Sequence, residues 1–155
     1  MSAIFGRWEY DTGVRDTLSA PMQATLLALK GETALIDRKE ERDWTYSRDV
    51  ARALYKLANH ENINSSLYNI SSGKTWSVFD WCTVLKMSYP DFNYRLCEFG
   101  EVPNIDLFGT RDRIKMSPDR FLRDIGYTLS ANLNEIFEDF KIWLDESNGF
   151  WNLEP

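Results

Sequence analysis

The sequence predicts an α/β fold, a small mixed sheet with about five helices (α+β when the chain stands alone). Three observations predict it. Short two-residue alternations of aromatic and β-branched residues recur along the chain, as at residues 44–47 and 67–71. Apolar stripes of helical period follow or precede them, each with a cap residue at its start and Gly or Pro at its end. Finally, 155 residues that are 43% hydrophobic and 14% aromatic suffice for one domain with a real core, so 1–155 reads as a single unit too apolar for disorder.

Ala3, Ile4 and Phe5 read as the end of a buried strand, and Gly6 as the turn after it. Thr17 or Ser19 caps the next helix, Pro21 fits its first turn, and Met22, Leu26, Leu27 and Leu29 supply its apolar face until Gly31 stops it. Residues 34–36 form a short strand, and the charged run 37–41 a solvated turn. The stretch from Arg42 to Leu54 organises the chain. Trp44 and Tyr46 point one way and Thr45 and Ser47 the other, as in a strand; then Val50, Ala51, Leu54, Leu57 and Ala58 change to helical spacing. Ser47 is a good N-cap, and Asp49 sits in the first turn, where the helix dipole favours an anion. This corner gathers Arg42, Arg48 and an acid, a set that can hold phosphate or sugar. Alternatively Arg42, Asp43, Arg48 and Asp49 pair with one another on a solvated turn.

Residues 60–65 are loop-like, 67–71 alternate as a strand, and Ser72-Gly73 end it. Thr75 or Ser77 caps a helix with the stripe Val78, Trp81, Cys82 and Leu85, ended by Pro90. Residues 94–98 form a strand and 99–110 a long loop. Ser117-Pro118 starts a helix with Phe121, Leu122 and Ile125 inward and Gly126 at its end. The last helix covers about 132–145, with Leu133, Ile136, Phe137, Phe140 and Leu144 on one face. Residues 147–155 are a tail that Phe150 and Trp151 tuck down.

Net charge is −6 and the isoelectric point about 4.8, so duplex nucleic acid and anionic membrane are unsuitable partners. No apolar run approaches the ~20 residues of a membrane span, and residues 1–20 lack the order of a signal peptide. Cys82 and Cys97 are too few and too far apart for a disulfide framework or a zinc site; they read as reduced thiols of a cytoplasmic protein. His60, the single histidine, lies in a polar stretch, so neither a Ser/His/Asp triad nor a two-histidine metal site is expected, and no metal.

The run Arg42-Asp43-Trp44-Thr45-Tyr46, followed by Arg48-Asp49-Val50-Ala51 and Ala53, resembles a segment of the extended short-chain dehydrogenase/reductases, the NAD(P)-dependent epimerases and dehydratases of nucleotide sugars. In that family the segment belongs to the C-terminal, substrate-binding half. The likeness continues in order. Phe5-Gly6-Arg7-Trp8-Glu9 resembles the turn after the catalytic Tyr-x-x-x-Lys helix, with Arg7 where Pro is usual. Residues 12–19 resemble the loop into the next helix, 67–73 the strand with Asn and its small-residue turn, 111–113 the Arg loop, and 124–127 the ending of the penultimate helix.

The resemblance implies that Arg42 and one of Arg111 and Arg113 hold a nucleotide diphosphate, since forked donors suit that task. The alternative for Arg111 and Arg113 is pairing with surface acids. It further implies that Asp49 orients Arg42 or the adjoining strand, and that Thr12, Arg15 and Ser19 line the sugar side. The family's chemistry is not in 1–155. There is no Gly-x-x-Gly-x-x-Gly turn to seat a pyrophosphate, and no Tyr-x-x-x-Lys pair: Lys86 is preceded at that spacing by Cys82, and Tyr46, Tyr55, Tyr68 and Tyr89 are followed by Val50, Asn59, Ser72 and Asn93. The expectation is therefore a substrate-binding lobe without catalytic residues, whose Rossmann domain, and with it NAD(P), belongs before position 1, and which is inactive alone. A self-associating binding or structural module derived from that lobe, with a homodimer as its form, is the alternative.

Overall fold

The computed structural model describes residues 3–11, 17–109 and 112–147. Among them the chain forms six short strands and five helices. β1 (Ala3–Phe5) runs parallel to β4 (Trp44–Tyr46), with Ala3 opposite Trp44 and Phe5 opposite Tyr46. β2 (Thr33–Ile36) runs parallel to β6 (Asn93–Leu96), and β3 (Glu41–Arg42) antiparallel to β5 (Trp76–Ser77). The helices are α1 (Ala20–Leu29), α2 (Ser47–Ala58), α3 (Val78–Ser88), α4 (Asp119–Ile125) and α5 (Leu133–Glu146). The expected small mixed sheet is thus three two-stranded ladders. β3 and β4 are one extended run interrupted at Asp43, whose carbonyl accepts from the Ala3 amide at 3.0 Å.

The main core is aromatic. Phe5 meets Trp76 and Trp81 edge-on, each at 5.2 Å between centroids, and Trp81 reaches Phe137 of α5 at 5.8 Å. Such edge contacts add about 0.5–1.5 kcal/mol each beyond the area they bury. The buried indole N–H of Trp81 donates to Thr25 at 3.0 Å, and Thr25 donates to the Pro21 carbonyl at 2.8 Å. A smaller cluster of Ala53, Phe121 and Leu129 joins α2 to α4.

Several local expectations are corrected. α1 buries Ala20, Pro21, Met22, Ala24, Thr25 and Ala28, while Leu26, Leu27 and Leu29 are half-buried. The helix is apolar nearly all round, so its stripe does not single out a face; the small residues let α3 approach closely. Ser19, not Thr17, is its cap, accepting from the Met22 amide at 3.3 Å. Ser47 does not cap α2: it is the first helical residue, and its hydroxyl donates to the Arg7 carbonyl at 3.1 Å. Trp44, Thr45 and Tyr46 are all buried, because both faces of the β1–β4 ladder are covered. Residues 67–71 form no ladder; Asn69 instead donates to the Ser117 carbonyl at 3.3 Å and Ser71 to Asp43 at 2.6 Å. Leu122 is exposed because the short α4 turns only Phe121 and Ile125 inward.

Other readings hold. Ser77 and Asp80 form a capping box at α3, Gly126 ends α4 in the left-handed conformation, and α5 begins within a residue of the expected start, with Asn132 as its cap. Cys82 and Cys97 are free thiols, and burial pushes that of Cys82 up to about 12. The expected contact of Phe150 and Trp151 lies outside the described residues.

Gly6 is the backbone position with least freedom. It has φ +112°, and a Cβ there would stand 2.5 Å from the Tyr46 ring. Gly6→Ala is expected to lower stability by about 2 kcal/mol or more. An unchanged urea midpoint would contradict this reading of the turn.

Candidate functional site

Arg42 and Glu40 lie on the run that enters β4. Glu40 is only 2% exposed, and it pairs with both Arg38 and Arg42. The charged turn is thus solvated as expected at Asp37, Lys39 and Glu41, but not at Glu40. A carboxylate this deep requires partners, and two guanidiniums supply them. Arg42, 3% exposed, donates through Nη2 to the carbonyls of Leu107 and of Phe108, the latter at 2.6 Å, and its Nη1 has no hydrogen-bond partner among the described residues. Arg38 likewise reaches the Gly109 carbonyl. The segment 106–109 is thus held by two arginines, with Phe108 at φ +53° and its amide bonded to Asp106 at 2.8 Å.

A second segment is laid along β3. The Glu41 amide donates to Asp112 at 3.1 Å, the Arg113 amide to the Glu41 carbonyl at 3.1 Å, and the Met116 amide to Asp43 at 2.8 Å. This strap carries Arg113 to the cleft that Arg42 borders. The cleft has a volume of about 340 Å³, and Thr17, Ser19, Arg42, Trp44, Phe108 and Arg113 line it. The Arg42 guanidinium stands 5.5 Å from the Trp44 ring. Arg113 is exposed, and its guanidinium makes no hydrogen bond or ion pair among the described residues. Burial first, then the charges of Arg113 and Arg38, bring the Arg42 guanidinium down to about 10, with Asp106 opposing. It remains protonated at neutral pH, in a positive field that an anion would relieve.

Of the residues expected at the site, the structure brings Arg42, Arg113 and Ser19 to one cleft. Ser19 is buried, and both its amide and its hydroxyl donate to Glu9, at 2.5 and 2.7 Å. Thr12, Arg15 and Arg111 lie outside the described residues. Asp49 is a correction. It orients neither Arg42 nor β4: it accepts from the Ser130 amide at 3.1 Å and Tyr127 at 3.4 Å, and faces Arg52 at 3.8 Å. Its place on the first turn of α2 aims it toward residues 127–130, away from the cleft. Nor do Arg42, Asp43, Arg48 and Asp49 pair with one another, since Arg48 pairs with Asp139 and Asp43 binds Ser71 and Met116. Glu9, Glu40 and Asp43 escaped the sequence reading. The one signal for Glu40 was its position two before Arg42, which places both on one face of an extended run. Among the described residues no cluster of His, Cys, Asp and Glu could hold a metal, and no helix is long and apolar enough to cross a membrane.

Residues 1–71 match the family model described as NAD dependent epimerase/dehydratase family. No curated protein matches the chain. Solved structures share its fold. The ADP-L-glycero-D-manno-heptose-6-epimerase of Helicobacter pylori has a TM-score of 0.68 at 18% identity, over 93% of this chain and 42% of its own. The UDP-glucose 4-epimerase of Thermotoga maritima, with UDP-glucose, has a TM-score of 0.68 at 18% identity, over 95% and 45%. The UDP-glucuronic acid 4-epimerase of Bacillus cereus, in complex with UDP-glucuronic acid and NAD, has 0.67 at 15%, over 94% and 43%. The chain therefore matches the NAD dependent epimerase/dehydratase family model over residues 1–71, and its fold is one found within part of these solved epimerases. It spans less than half the length of these solved relatives.

Arg42→Met would leave Glu40 with one partner and the carbonyls of Leu107 and Phe108 with none. It is expected to cost about 2–4 kcal/mol in urea unfolding. Arg42→Lys is expected to cost less, because it restores the charge but not the fork.

Proposed function

We propose that this chain is the substrate-binding lobe of an NAD(P)-dependent nucleotide-sugar epimerase or dehydratase, and that 1–155 forms one such lobe. Arg42 and Arg113 grip the nucleotide diphosphate, and Ser19 stands toward the sugar; Thr12, Arg15 and Arg111 belong to the same site. NAD(P), the proton-transferring pair and the remaining half of the enzyme come from a separate Rossmann region, so the lobe is inactive and cofactor-free alone. Its two free thiols suit a cytoplasmic setting.

The observation that carries this reading is the guanidinium of Arg113, without a hydrogen-bonding or ion-pairing partner among the described residues, lining one cleft with the buried guanidinium of Arg42. Two guanidiniums lining one cleft are suited to a diphosphate: Arg113 can offer its whole fork and Arg42 its remaining Nη1 group. That UDP-glucose and UDP-glucuronic acid occupy solved proteins of this fold supports the choice of ligand.

Calorimetric titration with UDP-glucose tests it. Arg113→Ala is expected to weaken binding on the order of tenfold, and to leave the urea midpoint nearly unchanged because the side chain supports nothing else. Equal affinity in the variant would overturn the diphosphate role. Supplied with NAD and a UDP- or dTDP-sugar, the chain is expected to show no turnover; epimerised or oxidised sugar would overturn the inactive-lobe reading.

One observation favours the second reading, a self-associating module. An apolar groove of about 300 Å³, lined by Val50, Leu54, Leu67 and Ile70 beside Ile4, lies next to β1, which has a single ladder partner among the described residues. Sedimentation equilibrium decides it. A dimer that Leu54→Asp dissociates supports the module, and a monomer at all concentrations excludes it.

A further inference from the structure

Asp43 is a carboxylate that the proposed diphosphate grip does not use directly. It is 3% exposed, yet among the described residues no arginine or lysine pairs with it. One of its oxygens, Oδ2, receives the Ser71 hydroxyl at 2.6 Å and the Met116 amide at 2.8 Å. The other, Oδ1, has no hydrogen-bond partner. A buried carboxylate held only by neutral donors costs stability relative to a neutral residue of the same shape. Its return is therefore sought in what those two donors fix.

Both lie on segments that no ladder holds. Ser71 ends the run 67–71, and Met116 ends the strap 112–116. Among the described residues, the strap's remaining links to β3 are the pair between residue 41 and residues 112 and 113. Without the bond at Met116, the strap would keep those two hydrogen bonds and a longer one, 3.2 Å, from the Ser71 hydroxyl to the Met116 carbonyl, and Ser71 would itself lose Asp43, so Arg113 would move more freely with the strap. With it, the strap is fastened at both ends of a four-residue span, and Arg113 is held beside the cleft where Arg42 already stands. The two guanidiniums repel, as the lowering of Arg42 by Arg113 shows. Keeping them together without an anion needs a backbone restraint, and Asp43 supplies it next to Arg42 in the chain.

We infer that Asp43 is a positioning residue: its buried carboxylate fastens the 112–116 strap and so presents Arg113 to the ligand's phosphates. This rests on the diphosphate reading above, and it adds a residue that touches no ligand atom but sets the affinity of one that does.

Two measurements test it. Hydrogen exchange of the Met116 and Arg113 amides reads the strap with no ligand present, and titration with UDP reads its consequence. Asp43→Ala is expected to speed exchange at both amides and to weaken UDP on the order of tenfold. Asp43→Asn retains one oxygen to accept from Met116 and is expected to lose only about threefold, which keeps a folded variant in hand if the alanine protein does not fold. In the Arg113→Ala background neither change should weaken UDP further, because the contact it positions is gone. A loss of the same size in that background, or unchanged exchange at Met116 in both variants, overturns the inference. If the wild-type chain does not bind UDP at all, the diphosphate reading fails, and the exchange result alone still decides whether Asp43 fastens the strap.

Discussion

Glu40 is a carboxylate removed from water, and an isolated one at that depth would cost several kcal/mol. Arg38 and Arg42 offset that cost, and in doing so they are themselves fixed. Each guanidinium has donors left over, and both spend them on carbonyls of residues 107–109. The consequence reaches well beyond the ion pairs. A segment with no ladder of its own is held as one wall of the cleft, and Arg42 cannot leave without freeing it. The balance of charge also matters. Glu40 serves both Arg38 and Arg42, Asp37 takes a further bond of Arg38, and Arg113 adds a second arginine to the cleft lining in a chain of net charge −6.

The run from Glu40 to Tyr46 does this work in both directions. Its first half pairs with β5 and carries the strap 112–116 on the Glu41 backbone. Its second half pairs with β1 and places Trp44 and Tyr46 against Phe5. At the break between halves stands Asp43, giving its carbonyl to Ala3 and its side chain to Ser71 and Met116. Ladders of two to four residues would not hold such an assembly by themselves. What joins them is the aromatic core beneath and side chains bonded to backbone above.

How much of this was legible in the sequence follows from which forces are local. Capping is local, so Ser19, Ser77, Asn132 and the stop at Gly126 could be read from neighbouring residues. The change from two-residue to helical period at residues 44–50 is local too, and it placed β4 and α2 correctly. Partnership across the fold is not local. Nothing around Asp49 tells that Ser130 and Tyr127 will take its carboxylate, and nothing around Glu40 tells that a run of five charged residues will bury one of them. The apolar stripe failed in α1 for a different reason, since a helix apolar on every side has no stripe to read. Arg42 and Arg113 entered through the resemblance to a family, and spacing alone left Arg42 divided between a ligand and a surface pairing.

The fold's division of labour is also written in its tyrosines. A tyrosine that passes a proton near neutral pH needs its pKa brought down, which a nearby lysine ordinarily does. Tyr46, Tyr89 and Tyr127 are all moved the other way, chiefly by burial. Tyr46 comes closest to a catalytic setting, with the Arg7 guanidinium 3.0 Å from its hydroxyl, yet that hydroxyl is committed to Asp139 at 2.7 Å. Arg7 also pairs with Asp139 and bonds its carbonyl, so the cluster fastens α5 to the turn at Gly6 and leaves no proton at liberty. Arg113 therefore lies open to the cleft, while these three phenols are moved up by burial. Under the reading proposed above, binding falls to that arginine, and these three phenols serve packing.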